Sequence, residues 1–315
     1  MDETQDLLAA LADILKIRTA ENLIANDFLT NKIFSFLHLS IGQEAAAVGV
    51  CRALKDTDYV LGNHRSHGHY LARGGDLKRM FFEIYGHQSG CCGGLGGSMH
   101  MLDRSVGFVG STPILGSVTP IGSGFAMKQV HSGNKDGVSV SFIGDGAAEE
   151  GSFYETLNLA ARFKLPYLVV IEDNRYAVNS THADRKSPSY NYEKIVTGLG
   201  CFYIRANGQQ YLDVLNATKV ARKSAINGTP AVIHLDVLRD FAHSGPIRDD
   251  AATYRKDDTK QYREENDPLK NLEKILLEDF GVSNAAIEKL LKDTIHLVNS
   301  QYNEVRSIVK EEVGF

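Results

Sequence analysis

The sequence predicts a doubly wound α/β fold, a parallel sheet with flanking helices, and three observations carry that prediction. The stretch GVSVSFIGDGAAEEGSFYETLNLAARFKLPYLVVIEDNRYA, Gly137–Ala177, reads as strand, helix, strand. The same order recurs in Cys201–Arg205, Asp213–Ile226 and Ala231–Leu238. No linker-like shift in composition and no internal repeat divides the chain, so one domain over 1–315 is expected, with helical segments at about 1–37 and about 267–315. With 315 residues, 43% hydrophobic and 23% charged, the chain can build a large core.

Taken in order, Leu7, Leu8, Leu11, Ile14 and Leu15 predict one or two amphipathic helices between Asp6 and about Leu37, packing on the rest of the chain or on another subunit. A helix is expected from Gly42-Gln43-Glu44 to about Leu54, a short strand at Tyr59–Leu61, and a helix from Leu77 to Tyr85. A polar run, Gly62–His69, follows that strand, and the glycine-rich run Gly90–His100 reads as a loop, as does Gly110–Pro113. Gly116–Val130 reads as a small-residue helix suited to close backbone packing, and Ala177–Pro188 as a polar segment, either mobile or ligand-facing. Glycine numbers 29 and is densest between Gly62 and Gly151, where backbone must come close to something.

Within Gly137–Ala177 the apolar residues Val138, Val140, Phe142 and Ile143 head into a core and stop at Gly144-Asp145-Gly146. Two glycines around an acid permit a sharp turn and a close approach of backbone N–H groups to an anion. Phe153, Leu157, Ala160 and Ala161 then follow helical spacing, and Tyr167–Ile171 is a second buried strand. In a parallel βαβ unit both strands end on one edge, which brings Asp145 and Asn174 side by side. A carboxylate and an amide oxygen there, beside a helix N-terminus, suit a hard divalent cation that bridges to a diphosphate.

At these residues the chain resembles a known family. GDG…N in this context looks like the thiamine-diphosphate binding motif, and the sequence around it is similar to the α subunit of the E1 component of 2-oxo acid dehydrogenase complexes, of the bacterial pyruvate or acetoin dehydrogenase type. The resemblance runs through HLSIGQEA (His38–Ala45), HRSHGH (His64–His69), GGLGGSMHM (Gly93–Met101), FAHS (Phe241–Ser244) and a late segment with Tyr254, Arg255 and Asp267–Leu269. It implies the diphosphate-binding half of the thiamine-diphosphate fold. Asp145, Asn174 and the backbone carbonyl of Tyr176 match positions that hold Mg²⁺. Gly146 and Ala147 match backbone contacts to the diphosphate, and Gly144 opens the same turn. His64 and Arg65 match a phosphate-binding pair, a role that suits the planar guanidinium. Leu115 matches an aliphatic prop under the bent cofactor, and Pro113 a carbonyl that meets its aminopyrimidine.

The resemblance implies a chain that decarboxylates a 2-oxo acid or cleaves acetoin and passes the acyl group to a lipoyl acyltransferase E2. The glutamate that activates the cofactor comes, in the family, from a separate E1 β subunit, so an α2β2 heterotetramer is expected, active only with β. A two-chain, transketolase-like acyloin or ketol transferase is the alternative. A degenerate regulatory subunit would need a broken metal site, and Asp145, Asn174 and Arg65 are all present.

His243 matches a histidine serving cofactor and acyl transfer, chemistry that suits an imidazole near neutral pH. His38 matches an active-site position. His67 and His69 read as structural, without a carboxylate spaced to complete a zinc site, and His100 as a support of its loop. Ser244 matches a serine phosphorylated in mitochondrial relatives and reads here as a loop serine. Three positions depart from the family: Leu95 where GKGGSMH carries lysine, Glu149 where Asn or Ser is usual, and Gly-Pro-Ile-Arg-Asp-Asp after Ser244.

A net charge of −5 and a pI near 6.1 give no electrostatic case for nucleic acid or a membrane surface. No apolar run is as long as a membrane span. MDETQDLL has neither a signal-peptide core nor transit-peptide character, and Cys51, Cys91, Cys92 and Cys201 show no zinc spacing, so a cytoplasmic setting is expected.

Overall fold

The computed structural model describes residues 3–30, 32–33, 35–248 and 260–313, so Tyr254 and Arg255 lie outside the described residues. In chain order the first half comprises α1 (Glu3–Leu29), α2 (Glu44–Arg52), β1 (Tyr59–Gly62), α3 (Ser66–Ala72), α4 (Leu77–Ile84), β2 (Phe108–Ser111), α5 (Val118–His131) and β3 (Ser139–Gly144). There follow α6 (Gly151–Phe163), β4 (Tyr167–Asp173), the small strands β5 (Tyr176–Ala177) and β6 (Ser180–Thr181), α7 (His182–Arg185) and α8 (Tyr192–Gly198). β7 (Phe202–Asn207), α9 (Tyr211–Ile226), β8 (Ala231–Asp236), α10 (Lys260–Glu265), α11 (Pro268–Glu278) and α12 (Asn284–Val313) complete the series.

Six strands form one parallel sheet in the order β2-β1-β3-β4-β8-β7, the α/β architecture expected. Alternation along each strand feeds two cores. Val140, Phe142, Leu168 and Val170 enter a cluster with Leu11 and Ile14 of α1, Val214 of α9 and Val305 of α12. Ile143, Val169 and Ile171 enter a second with Val118 of α5, Phe153 and Leu157 of α6 and Val196 of α8. Truncating a fully buried side chain such as Phe142 to alanine in such a core costs about 3–5 kcal/mol. α5 lies so close to β3 that a Cβ at Gly122 would sit 1.9 Å from Ser141 Oγ, which explains the small residues of that helix.

Several expectations need correction. The N-terminal helix ends at Leu29 rather than about Leu37, and Ile33 and Leu37 reach the core from irregular chain. α1 packs on α12, α11 and α2 of its own chain. It is tied to α2 and α11 by Arg18, which pairs with Glu44 and, at 2.8 Å, with Asp267. β2, overlapping the expected Gly110–Pro113 loop, is an ordered strand beside β1, and the polar run, to which the sequence assigns no element, holds α3. The C-terminal helices fall at Pro268–Glu278 and Asn284–Val313, with α10 before them. Asp267 caps α11 by accepting from Leu269 N at 2.9 Å. No helix among the described residues is long and apolar enough to cross a membrane.

β1 and β3 are neighbours whose outgoing connections run to opposite sides, to β2 and to β4. Such a switch point opens a crevice at the carboxyl ends of the strands.

Candidate active site

That crevice holds a cavity of about 200 Å³ built from the residues just past β1, β3, β4 and β8. Register aligns the ends: Gly144 pairs with Glu172, so Asp145 is level with Asp173 and Asn174 lies one step beyond. Alternation then sends Glu172 and Asn174 into the cavity and Asp173 into a neighbouring cavity of about 420 Å³. Asp145 is buried and lines the first cavity. The structure therefore brings Asp145 and Asn174 to one cavity, with Tyr176, Gly144, Gly146 and Ala147.

Neither Gly144 nor Gly146 has a left-handed φ, so the turn itself does not demand glycine. Gly146 is required for another reason: a Cβ there would meet Ala177 Cβ at 2.7 Å. The strain lies across the cavity instead. Arg175 and Val178 adopt φ of 70° and 57°, a conformation side chains rarely take outside functional turns. Between them Asn174 Oδ1 accepts from Tyr176 N at 3.2 Å.

After β1 come Asn63, His64 and Arg65. Arg65 is buried and donates to the carbonyls of Leu39 (2.7 Å) and His243 (2.9 Å), locking the His243 loop to the sheet edge. His38, His64 and His243 cluster, with ring centroids 4.5, 5.0 and 5.2 Å apart. Both ring nitrogens of His64 and Nδ1 of His38 are buried without a hydrogen-bond partner among the described residues. Burial first, then the Arg65 charge, pushes His38 down to about 3 and His64 well below the usual histidine range. Both are neutral imidazoles at neutral pH, able to donate at one nitrogen and accept at the other. His64 and His243 line the cavity, and His38 stands against both. Leu115 lines it as well, while Pro113 lies outside its lining.

Three features were not foreseen. Arg239, fully buried at the end of β8, brings another guanidinium to the cavity. Its signal was an arginine at a strand end just before the Phe241–Ser244 loop. The second is α7, whose Arg185 bonds Asp145 and Glu149 and whose His182 sits 3.2 Å from Asp145 and 3.0 Å from Asp173. Asp145 and Asp173 hold His182 up at about 9. Burial opposes the charge of Asp173, but His182 and His234 outweigh it and keep the carboxyl below its ordinary range. The third concerns Glu149: its extra carboxylate is neutralised by Arg185 at 3.1 Å and Lys186 at 3.3 Å.

The other glycine-rich run does not reach this cavity. Its backbone wraps Glu83, whose carboxylate accepts from the N–H groups of Cys92, Gly94, Gly96 and Gly97 at 2.6–3.1 Å. His67 bonds Glu21 and Ser98, and His69 bonds Glu172 and stacks on Phe142 at 3.9 Å, which gives both a structural role. His100 Nδ1 lies 3.2 Å from the Gly96 carbonyl, within its own loop.

Carboxylate and amide oxygens on one wall, with buried guanidinium groups and the neutral imidazole of His64 on the other, form a donor set for a hard cation carrying an anion. The unpartnered nitrogens of His64 are the sharpest sign, because a buried polar group without a bond is costly unless a ligand supplies one. Residues 13–313 match the family described as Dehydrogenase E1 component. The α subunit of acetoin:2,6-dichlorophenolindophenol oxidoreductase from Cupriavidus necator is 33% identical over 307 residues, 97% of this chain and 91% of that one. Its Bacillus subtilis counterpart is 34% identical over 285 residues, 90% and 84% of the two chains. The mitochondrial pyruvate dehydrogenase E1 component subunit alpha-1 of Oryza sativa is 35% identical over 292 residues, 91% and 73%. A match that runs from α1 to the end of α12, with relatives aligned along nearly all of the chain, places this protein in the dehydrogenase E1 component family.

Proposed function

We propose that this chain is the α subunit of a thiamine-diphosphate- and Mg²⁺-dependent E1 dehydrogenase acting on a pyruvate-like 2-oxo acid or on acetoin. The observation that carries the reading is the β3/β4 register, which puts Asp145 and Asn174 on one cavity facing Arg65 and the unpartnered His64. Asp145, Asn174 and the Tyr176 carbonyl hold the cation. Gly144, Gly146 and Ala147 bring backbone to the diphosphate, and His64, Arg65 and His243 bind its oxygens. Pro113 and Leu115 support the organic part of the cofactor. When bound, thiamine diphosphate supplies an electron sink for cleaving the bond beside a 2-oxo or acyloin carbon. His243 moves a proton at the substrate, and His38, neutral through burial beside Arg65, stands against it to hold the second proton position.

The names of the Cupriavidus and Bacillus relatives favour acetoin, and that of the rice relative favours pyruvate. Both kinds are named α subunits, which supports an E1 β partner, and the proposal extends to an α2β2 assembly, a lipoyl acyltransferase E2 as acceptor and a cytoplasmic setting. The test is dye reduction with pyruvate and with acetoin, by the chain alone and with its β subunit. Activity only in the pair is expected, and full activity of the lone chain would overturn the subunit reading. Replacing the dye by a lipoyl domain or by an aldehyde separates the dehydrogenase from the acyloin or ketol transferase.

A further inference from the structure

The carboxylate of Asp145 is gripped by α7 in an asymmetric way. Arg185 Nη2 hydrogen-bonds Oδ2, His182 Nε2 stands 3.2 Å from the same oxygen without hydrogen-bond geometry, and no described residue bonds Oδ1. Neither side chain belongs to Asp145 alone. Arg185 spreads its guanidinium over three acceptors, with Nε on Glu149 at 3.1 and 3.2 Å, Nη1 on the Ser180 carbonyl and Nη2 on Asp145. His182 is shared with Asp173 at 3.0 Å, and Asp173 is fixed in turn by His234 Nε2 at 2.9 Å. The short helix carrying both side chains is itself held by a reciprocal cap, Thr181 N to Asp184 Oδ2 at 2.8 Å and Asp184 N to Thr181 Oγ1 at 3.3 Å.

An arginine that simply neutralises a carboxylate takes both oxygens in a parallel fork. Here the fork is split between two acids, and the histidine adds to the oxygen already taken. We propose that Arg185 and His182 are positioning residues that clamp Oδ2 of Asp145 so that Oδ1 is presented to the divalent cation. The inference rests on the metal reading given under Proposed function. Metal-binding carboxylates are oriented by such outer partners, whose loss weakens metal binding about 10–100-fold. The opposing effect is repulsion, since a guanidinium beside a ligand discourages a second cation. The two effects have opposite signs, so removing Arg185 decides between them.

The experiment uses the full-length chain with its β subunit, thiamine diphosphate and Mn²⁺ as the probe, free Mn²⁺ being followed by electron paramagnetic resonance. Arg185→Gln leaves Asp145 with His182 and Glu149 with Lys186, so neither acid is orphaned. His182→Ala leaves Asp173 with His234. Each variant is expected to raise the Mn²⁺ dissociation constant about 10–100-fold. Arg185→Lys should recover part of the loss, and the melting temperature without metal should stay that of the wild type. Asp145→Asn should abolish binding. Unchanged or tighter Mn²⁺ binding in Arg185→Gln and His182→Ala, with binding lost in Asp145→Asn, overturns the positioning role and leaves the metal reading standing. Wild-type binding retained in Asp145→Asn, or absent from the wild type, overturns both.

Discussion

Two glycine-rich turns in this chain do opposite things with the same backbone chemistry. Gly90–Gly97 folds around an acid of its own: Gly93, Gly94 and Gly97 adopt φ of 69°, 77° and 60°, and four N–H groups converge on Glu83. Gly144–Gly146 has no left-handed residue, and it opens onto a cavity that carries buried arginines and His64, whose ring nitrogens have no hydrogen-bond partner among the described residues. The first is an anion nest that the protein has filled for itself. The second is left for a ligand. Glycine density alone does not distinguish a binding loop from a structural one. The location of the neutralising charge does.

Removing the internal anion is the sharpest way to break the comparison. Glu83→Ala leaves four N–H groups without an acceptor, at about 1–3 kcal/mol for each one water cannot reach, so a loss of about 4 kcal/mol is expected in urea unfolding. Glu83→Gln should fall between, because its amide nitrogen faces two of the donors. A loss below about 1 kcal/mol would mean that the loop does not depend on Glu83.

The open turn should show the converse, little dependence on its acid for stability and complete dependence for ligand. At about 100 times the dissociation constant, thiamine diphosphate with Mg²⁺ stabilises a binding protein by about 2.7 kcal/mol. Thermal unfolding should show that gain in the wild type and none in Asp145→Asn. A gain preserved in the variant would place the ligand elsewhere. The glycines divide in the same way. Gly146→Ala drives a methyl group against Ala177 and should cost about 1–3 kcal/mol, whereas Gly144→Ala, with open space around its Cβ, should cost less than about 1 kcal/mol. Equal costs would contradict the packing reason given for Gly146.

How far the sequence could be read follows from which forces are local. The βαβ unit from Ser139 to Asp173 was legible because β3 alternates into Phe142 and Ile143, β4 opens on a continuous apolar run, and the helix keeps one apolar face. From it followed the pairing of Asp145 with Asn174, which needs only parallel strands of known ends. β2 was hidden: four residues at the sheet edge, with a glycine among them, give no periodic signal. α3 was hidden for another reason. It buries Tyr70 and Leu71 together with the polar Ser66, His67 and His69, which are satisfied by Ser98, Glu21 and Glu172 from distant segments, so its buried side shows no apolar period. The same blindness covered α7, since the pairs Arg185–Asp145 and Arg185–Glu149 join residues far apart in the chain. Glu149 looked like an added charge against an anionic ligand, and only the fold supplies its two cations.

Leu95 gives the smallest expected effect and the most direct test of the boundary between the two turns. It is 93% exposed at the tip of the filled loop, at the position where the family resemblance leads lysine to be expected. If the loop is complete in itself, a cation restored at its tip has no buried anion to meet, because both Glu83 oxygens already serve the backbone. An exposed charge there is also screened by salt beyond about 8–10 Å. Leu95→Lys should therefore change stability by no more than about 0.5 kcal/mol and leave the thiamine diphosphate titration unmoved. A clear tightening of cofactor binding, lost again at high salt, would show that the tip of the closed nest reaches the open one and that the two turns form a single anion site.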